Sequence, residues 1–287
     1  MTVDGSFVVC ARLLDSRGDL WWPSLTDFLV KTRLDRPVCE RSPSCTQYTT
    51  SRFLTGDADA DSDTLWVTPA VPFPGPRLRI ECLSSNAALH PLVTGRDLAR
   101  SDEIRQPTVL GAVSRASALI GSIPSLAASI ERLALSIHIV RQDDPAYDVS
   151  FSEPYIPFSI FVSIPGDSWK AAARVAEAII HEAMHLQLSL VEQLVPLAQE
   201  SAEQQYSPWK REARPVSGLI HALYVFAVID GWLALLSPSW SIADYVRSRR
   251  EQIVREVAEI DFSACEAGAT QEGQALINTI ARRFNHR

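Results

Sequence analysis

A helical pattern from Ser168 to about Val195, set between Pro165-Gly166 and Pro196, constrains the fold of this chain more than any other segment. Val175, Ile179, Ala183, Leu190 and Leu194 supply apolar faces at helical spacing, and Asp167 stands where a helix cap belongs. Inside this helix lies His181-Glu182-Ala183-Met184-His185. Two histidines four apart on a helix project from one face, about 6 Å apart at Cβ, and can grip one metal ion. Glu182 points about 100° away around the helix and cannot easily join both histidines on one ion.

The elements before this helix alternate in type. Trp21, Trp22, Leu25, Phe28 and Leu29 predict a short amphipathic helix closed before Pro37. Arg77–Leu83 reads as a short strand after the break at Pro72, Pro74, Gly75 and Pro76. Thr108 to Glu131 has helical spacing interrupted at Pro124. Leu133, Leu135, Ile137 and Ile139 alternate with Ala134, Ser136 and His138 as a strand does, and a second strand follows in Phe158–Ile164. Asp57–Asp63 reads as an exposed acidic loop; Ser62 and Thr68 stand where a calcium loop needs Gly and Glu.

Beyond Pro196 a polar connector (Ala198 to Gln205) leads to Tyr206-Ser207-Pro208-Trp209. A helix is expected from near Pro215, a good first-turn residue, to about Leu236 before Pro238. Two more amphipathic helices follow, marked by Ile242, Val246, Ile253, Val257 and Ile260, then by Leu276, Ile277, Ile280 and Phe284. The expected class is α+β and helix-rich. A mixed α/β N-terminal region (1–131), a candidate peptide-binding part, carries a short sheet packed on a C-terminal helical bundle. The metal-binding catalytic region is 132–287, and the two could form one continuous domain.

Composition narrows the function classes. A net charge of −7 gives no general attraction to nucleic acid or to anionic membranes. The five cysteines, Cys10, Cys39, Cys45, Cys82 and Cys265, include no CxxC pair and read as reduced thiols, with Cys39–Cys45 the one disulfide to consider. No basic-then-apolar leader pattern opens the chain, and no apolar stretch reads as approaching the ~18 residues of a membrane span. A soluble, cytoplasmic protein is expected.

The first chemistry the motif suggests is a zinc peptidase, with Glu182 as the base that deprotonates an ion-bound water. Two protein ligands rarely suffice. Leu188 and Val191 stand where the extended form of the motif needs Gly and a third His. Glu200 and Glu203 lie about where a downstream Glu ligand would be, but in the polar connector. His221 sits in the apolar setting of Leu219, Ile220, Leu223, Val225 and Phe226, where a polar ring needs a partner, and is the candidate third ligand. The alternative for His221 is a core histidine bonded to a backbone carbonyl. His138, His90 and His286 read as structural or solvent-exposed.

Further blocks lie downstream: Leu194-Val195-Pro196-Leu197, Tyr206-Ser207-Pro208-Trp209-Lys210, Arg214-Pro215-Val216-Ser217-Gly218-Leu219-Ile220-His221, and Ala222-Leu223-Tyr224-Val225-Phe226. In order and spacing, the stretch from His181 to Trp232 resembles the HExxH-motif peptide-modification proteins, found alone or fused to radical-SAM enzymes. The resemblance implies an iron(II)- and 2-oxoglutarate-dependent hydroxylase. Its substrate would be a ribosomally made precursor peptide, modified at a side-chain β-carbon, in a fold other than the double-stranded β-helix. A partner maturation enzyme of the same pathway is a further expected contact.

Under this resemblance His181, His185 and His221 would be an all-imidazole ligand set, leaving iron positions for a bidentate 2-oxo acid and O₂. The distal carboxylate of 2-oxoglutarate then needs a cation, ideally a forked guanidinium. Arg214 would lie two helical turns before His221 on the same face, about 10 Å along the axis. Tyr206, Lys210 and Tyr224 are candidate helpers, although family members often carry Arg where this chain has Lys210. Glu182 would take a second, positioning role. A peptide-binding scaffold with a structural metal site is the third class expected.

Overall fold

The computed structural model describes residues 20–34, 64–69, 75–81, 97–144, 146–152, 158–166, 168–200, 204–236 and 241–285. The expected acidic loop at 57–63, the Cys39–Cys45 pair, His90, His286, Glu203 and the cap at Asp167 lie outside them. In chain order the described elements are α1 (Pro23–Leu34), β1 (Thr64–Val67), β2 (Leu78–Glu81), α2 (Ser101–Ile104), α3 (Pro107–Gly121) and α4 (Pro124–Leu133). Then come β3 (Ser136–Val140), β4 (Ser150–Ser152), β5 (Ser159–Ser163) and α5 (Trp169–Glu192). The last are β6 (Gln204–Ser207), β7 (Glu212–Pro215), α6 (Val216–Leu235), α7 (Ala243–Ala258), α8 (Phe262–Ala267) and α9 (Gln271–Asn285).

This is a mixed α+β chain rich in helix, and among the described residues the larger sheet is open rather than closed into a barrel. The chain divides into two compact units, one of Thr26–Leu186 and one combining the residues up to Leu25 with Gln187–Arg287. The division falls within α5. Strands from either side of residues 131/132 pair with each other, Ile80 of β2 lying opposite Ile137 of β3.

In the Thr26–Leu186 unit the strand order is β1-β2-β3-β5-β4. The β2–β3 and β3–β5 pairs are parallel, while β1 and β4 run antiparallel to their neighbours. The alternation in β3 predicted one apolar and one polar face, yet all five residues are buried, as are all five of β5. Central parallel strands are covered on both faces, so their polar side chains must find partners inside. His138 does so. Its Nδ1 donates to the Glu81 carbonyl at 3.2 Å, leaving Nε2 to accept from Ser136 Oγ at 3.1 Å. Its ring stacks on Phe161, which stacks on Phe151 of β4. The break expected at Pro124 is present: Pro107 and Pro124 each occupy the first turn of a separate helix.

The unit that contains Gln187–Arg287 is built around α6, which has thirteen buried residues, from Val216 to Leu233. At 20 residues it is long and apolar enough to cross a membrane, a length that the sequence reading did not ascribe to any stretch. Most of it is buried inside the fold, as expected of a helix that is apolar all round in a core. Tyr224 is fully buried, donates its hydroxyl to the Leu20 carbonyl at 2.8 Å and stacks on Trp22. Burial pushes its phenol well above its usual range. Asp230, 1% exposed, accepts from Arg250 Nε at 3.1 Å. Cys265, a buried free thiol, is pushed up to about 11, chiefly by burial, with Asp261 and Glu266 adding to the shift.

Two glycines of this unit give opposite expectations. A Cβ at Gly273 would overlap the Leu197 carbonyl, which itself accepts from Thr270 N at 3.0 Å, whereas a Cβ at Gly218 meets nothing. Gly273→Ala should therefore destabilise by about 2 kcal/mol or more, because the 196–198 segment must move. Gly218→Ala, in the exposed first turn of α6, should stabilise by ~0.5 kcal/mol. Thermal melts of the two variants check both signs.

Candidate metal centre

Helix α5 begins where Ser168 Oγ accepts from Ala171 N at 3.0 Å, so Ser168 caps it. Alanine and straight-chain residues let it pack closely. Ala172, Ala173, Val175, Ala176, Ile179, Ile180, Ala183 and Met184 are at most 1% exposed. Between Ala171 and Leu186 the partly exposed positions are Arg174, Glu177, Ala178, His181 and His185. Their spacing of three and four residues makes one stripe. The two histidines thus face outward on the one stripe of the helix that is not buried.

The rings of His181 and His185 approach edge-on, with Nε2 atoms 3.1 Å apart. At that distance one ring donates to the other, and two imidazole nitrogens so close on one helix face would also suit a shared ion. Among the described residues no group of three or more His, Cys, Asp or Glu is assembled around a common point.

Glu182 is 4% exposed, and both of its oxygens are engaged. Ser150 Oγ donates to Oε1 at 2.7 Å and Ser152 Oγ to Oε2 at 2.8 Å. Both serines belong to β4, where residues two apart share a face. The segment leading into the strand is tied to α5 by Asp148, which accepts from Arg174 Nε at 2.8 Å. Sequence reasoning missed β4 because three residues carry no legible alternation. The Ser-Phe-Ser spacing alone could have hinted that two hydroxyls face one way.

The other expected residues lie in the second unit. His221 donates from Nε2 to Glu192 Oε2 at 2.8 Å, so one of its partners is a carboxylate. A carboxylate on one ring nitrogen is also the arrangement that orients a ligating imidazole. Arg214 is not two turns before His221 on a helix. It lies on β7 opposite Gln205 of β6, because the hairpin ends only at Pro215 and α6 begins at Val216. Its Nε pairs with Glu212 Oε1 at 2.7 Å, with both side chains about half exposed. Tyr206 of β6 is 52% exposed, and Lys210 is exposed in the hairpin turn. Tyr224 is committed to the core through Leu20, which leaves it poorly placed as a ligand contact. Glu200 is exposed in the connector.

No family model and no curated protein matches this chain.

Proposed function

We propose that this chain is an iron(II)- and 2-oxoglutarate-dependent hydroxylase of a ribosomally made peptide, of the HExxH peptide-modification type, acting at a side-chain β-carbon. The observation that carries this over hydrolysis is the state of Glu182, whose two oxygens each accept a serine hydroxyl. A general base must take up a proton, and both bonds stabilise the anion instead. A carboxylate held in this way suits a group that positions its neighbours on the helix. The zinc peptidase remains the alternative the same motif allows.

His181 and His185 would hold the ion through Nε2, with His221 the third ligand expected from the sequence. Bound iron with 2-oxoglutarate and O₂ supplies the oxidising power for hydroxylation, with succinate and CO₂ as co-products. Arg214 is the cation that the sequence reading gives to the distal carboxylate of the cosubstrate, although it stands on β7 and not on the helix of His221. Its pair with Glu212 is half exposed and so worth about 0–1 kcal/mol, weak enough to exchange for a ligand carboxylate. Glu182, tied to β4, would keep the helix face in register with the strand.

The test supplies iron(II), 2-oxoglutarate, ascorbate and a short precursor peptide encoded beside the gene. Succinate and a peptide heavier by one oxygen atom are expected. Peptide cleavage with zinc, without 2-oxoglutarate turnover, would overturn the proposal.

A further inference from the structure

We propose that the outer edge of β4 is a docking strand on which an extended segment of the substrate peptide lies as a sixth strand of the sheet. This rests on the proposed peptide chemistry at His181 and His185 and names how the peptide is held there. Strand β4 is the last in the order β1-β2-β3-β5-β4, so among the described residues no strand lies beyond it. Its register pairs Ser150, Phe151 and Ser152 with Val162, Phe161 and Ile160.

Hydrogen-bond parity fixes which backbone groups face outward. Ser163 N donates to Val149 O at 2.8 Å, which marks Val149–Ser163 as a bonded pair of the antiparallel ladder. Bonded and non-bonded pairs alternate, so Phe151 directs its N–H and C=O toward β5. Ser150 and Ser152 direct theirs away from it. Their side chains are anchored at the same time: both hydroxyls reach Glu182, the residue next to His181. The strand is pinned on its opposite face by the Phe151–Phe161 stack, with ring centroids 4.4 Å apart. Rigid edges of this kind bind extended peptides through the main chain and leave side chains free for selection.

Glu182 marks which face of the strand α5 covers. A peptide added to this edge projects alternate side chains from the face that bears Ser150 and Ser152, toward the helix that carries the histidine pair. The main chain is thus held independently of sequence, while every second side chain faces the helix that carries His181 and His185. Such docking selects an unstructured peptide over a folded protein. Asp148 precedes the strand and Glu153 and Pro154 follow it, so the pairing edge is confined to Ser150–Ser152.

The test uses the full chain and a randomised twelve-residue peptide display library as probe. An enriched peptide is resynthesised with a single N-methyl group on each backbone amide in turn. Docking on β4 predicts weakening of about tenfold or more at every second amide over a short stretch, with little change between. The peptide should also slow amide hydrogen exchange at Ser150 and Ser152 in the unaltered protein. Ser152→Pro, which loses the outward N–H, should bind about tenfold more weakly than Ser152→Ala, which loses only the hydroxyl. A flat N-methyl scan, unchanged exchange at both serines, or a library that yields no binder would overturn the docking strand. Succinate formation with a flat scan removes the docking strand alone. The alternating pattern without 2-oxoglutarate turnover keeps it and removes the hydroxylase.

Discussion

His185→Ala lowers the affinity of the chain for iron(II), or for cobalt(II) used as a spectroscopic probe, by at least about 100-fold. The Nε2 atoms of His181 and His185 are 3.1 Å apart on the one stripe of α5 that solvent reaches, and loss of either imidazole leaves a single nitrogen there. Removing a group that merely orients a metal ligand typically costs 10–100-fold in affinity, so losing the ligand itself should cost more. Titration calorimetry with the metal alone reads the effect without any substrate. His138→Ala is the control. That ring is buried between β3 and its neighbours, bonded to Glu81 and Ser136, so its loss should lower the melting temperature and leave metal affinity unchanged. His221→Ala decides the third position. Equal loss with His185→Ala assigns it to the ion; full affinity leaves His221 as the partner of Glu192 and nothing more. A chain whose affinity survives His185→Ala has no metal centre on α5, and the hydroxylase and the peptidase fall together.

Helix α5 was legible because its apolar periodicity is long and its ends are marked by Gly166 and Pro196, and the histidine spacing is local to it. The parallel strands were legible in position but not in burial. Alternation in β3 says that one face is more polar; only the sheet order says that both faces are covered. Arg214 was misplaced for a different reason. Pro215 is a good first-turn residue and so suggests a helix around Arg214, but Glu212–Pro215 pairs with Gln204–Ser207. The turn between those strands places Arg211 at φ 54°, a conformation that a non-glycine residue does not advertise. The serines that hold Glu182 are about thirty residues away from it in the chain, and no local pattern joins them. Long-range polar partners are set by packing, and a single sequence carries no record of that packing.

Removing both serines should cost stability through Glu182 rather than through β4 itself. In Ser150→Ala/Ser152→Ala the carboxylate stays buried and loses both donors. A hydrogen bond to a charged group is worth about 1.5–3 kcal/mol, so the double variant should lose ~3 kcal/mol or more by denaturant titration. Adding Glu182→Leu should recover much of that, because replacing all partners with apolar groups leaves no buried orphan. Additive losses instead would show that the serines act independently of Glu182. The conservative Glu182→Gln separates the chemistries. Its amide keeps an oxygen for one hydroxyl and offers N–H to the other, which can turn to accept. A hydroxylase whose Glu182 positions the helix should keep its succinate yield within about tenfold, whereas removing a general base costs a peptidase about 100- to 10,000-fold. A collapse of 2-oxoglutarate turnover in Glu182→Gln, with metal affinity and fold retained, would mean that the negative charge itself takes part in the reaction. The two serines would then hold a reacting group, and Glu182 would no longer be a spacer between strand and helix.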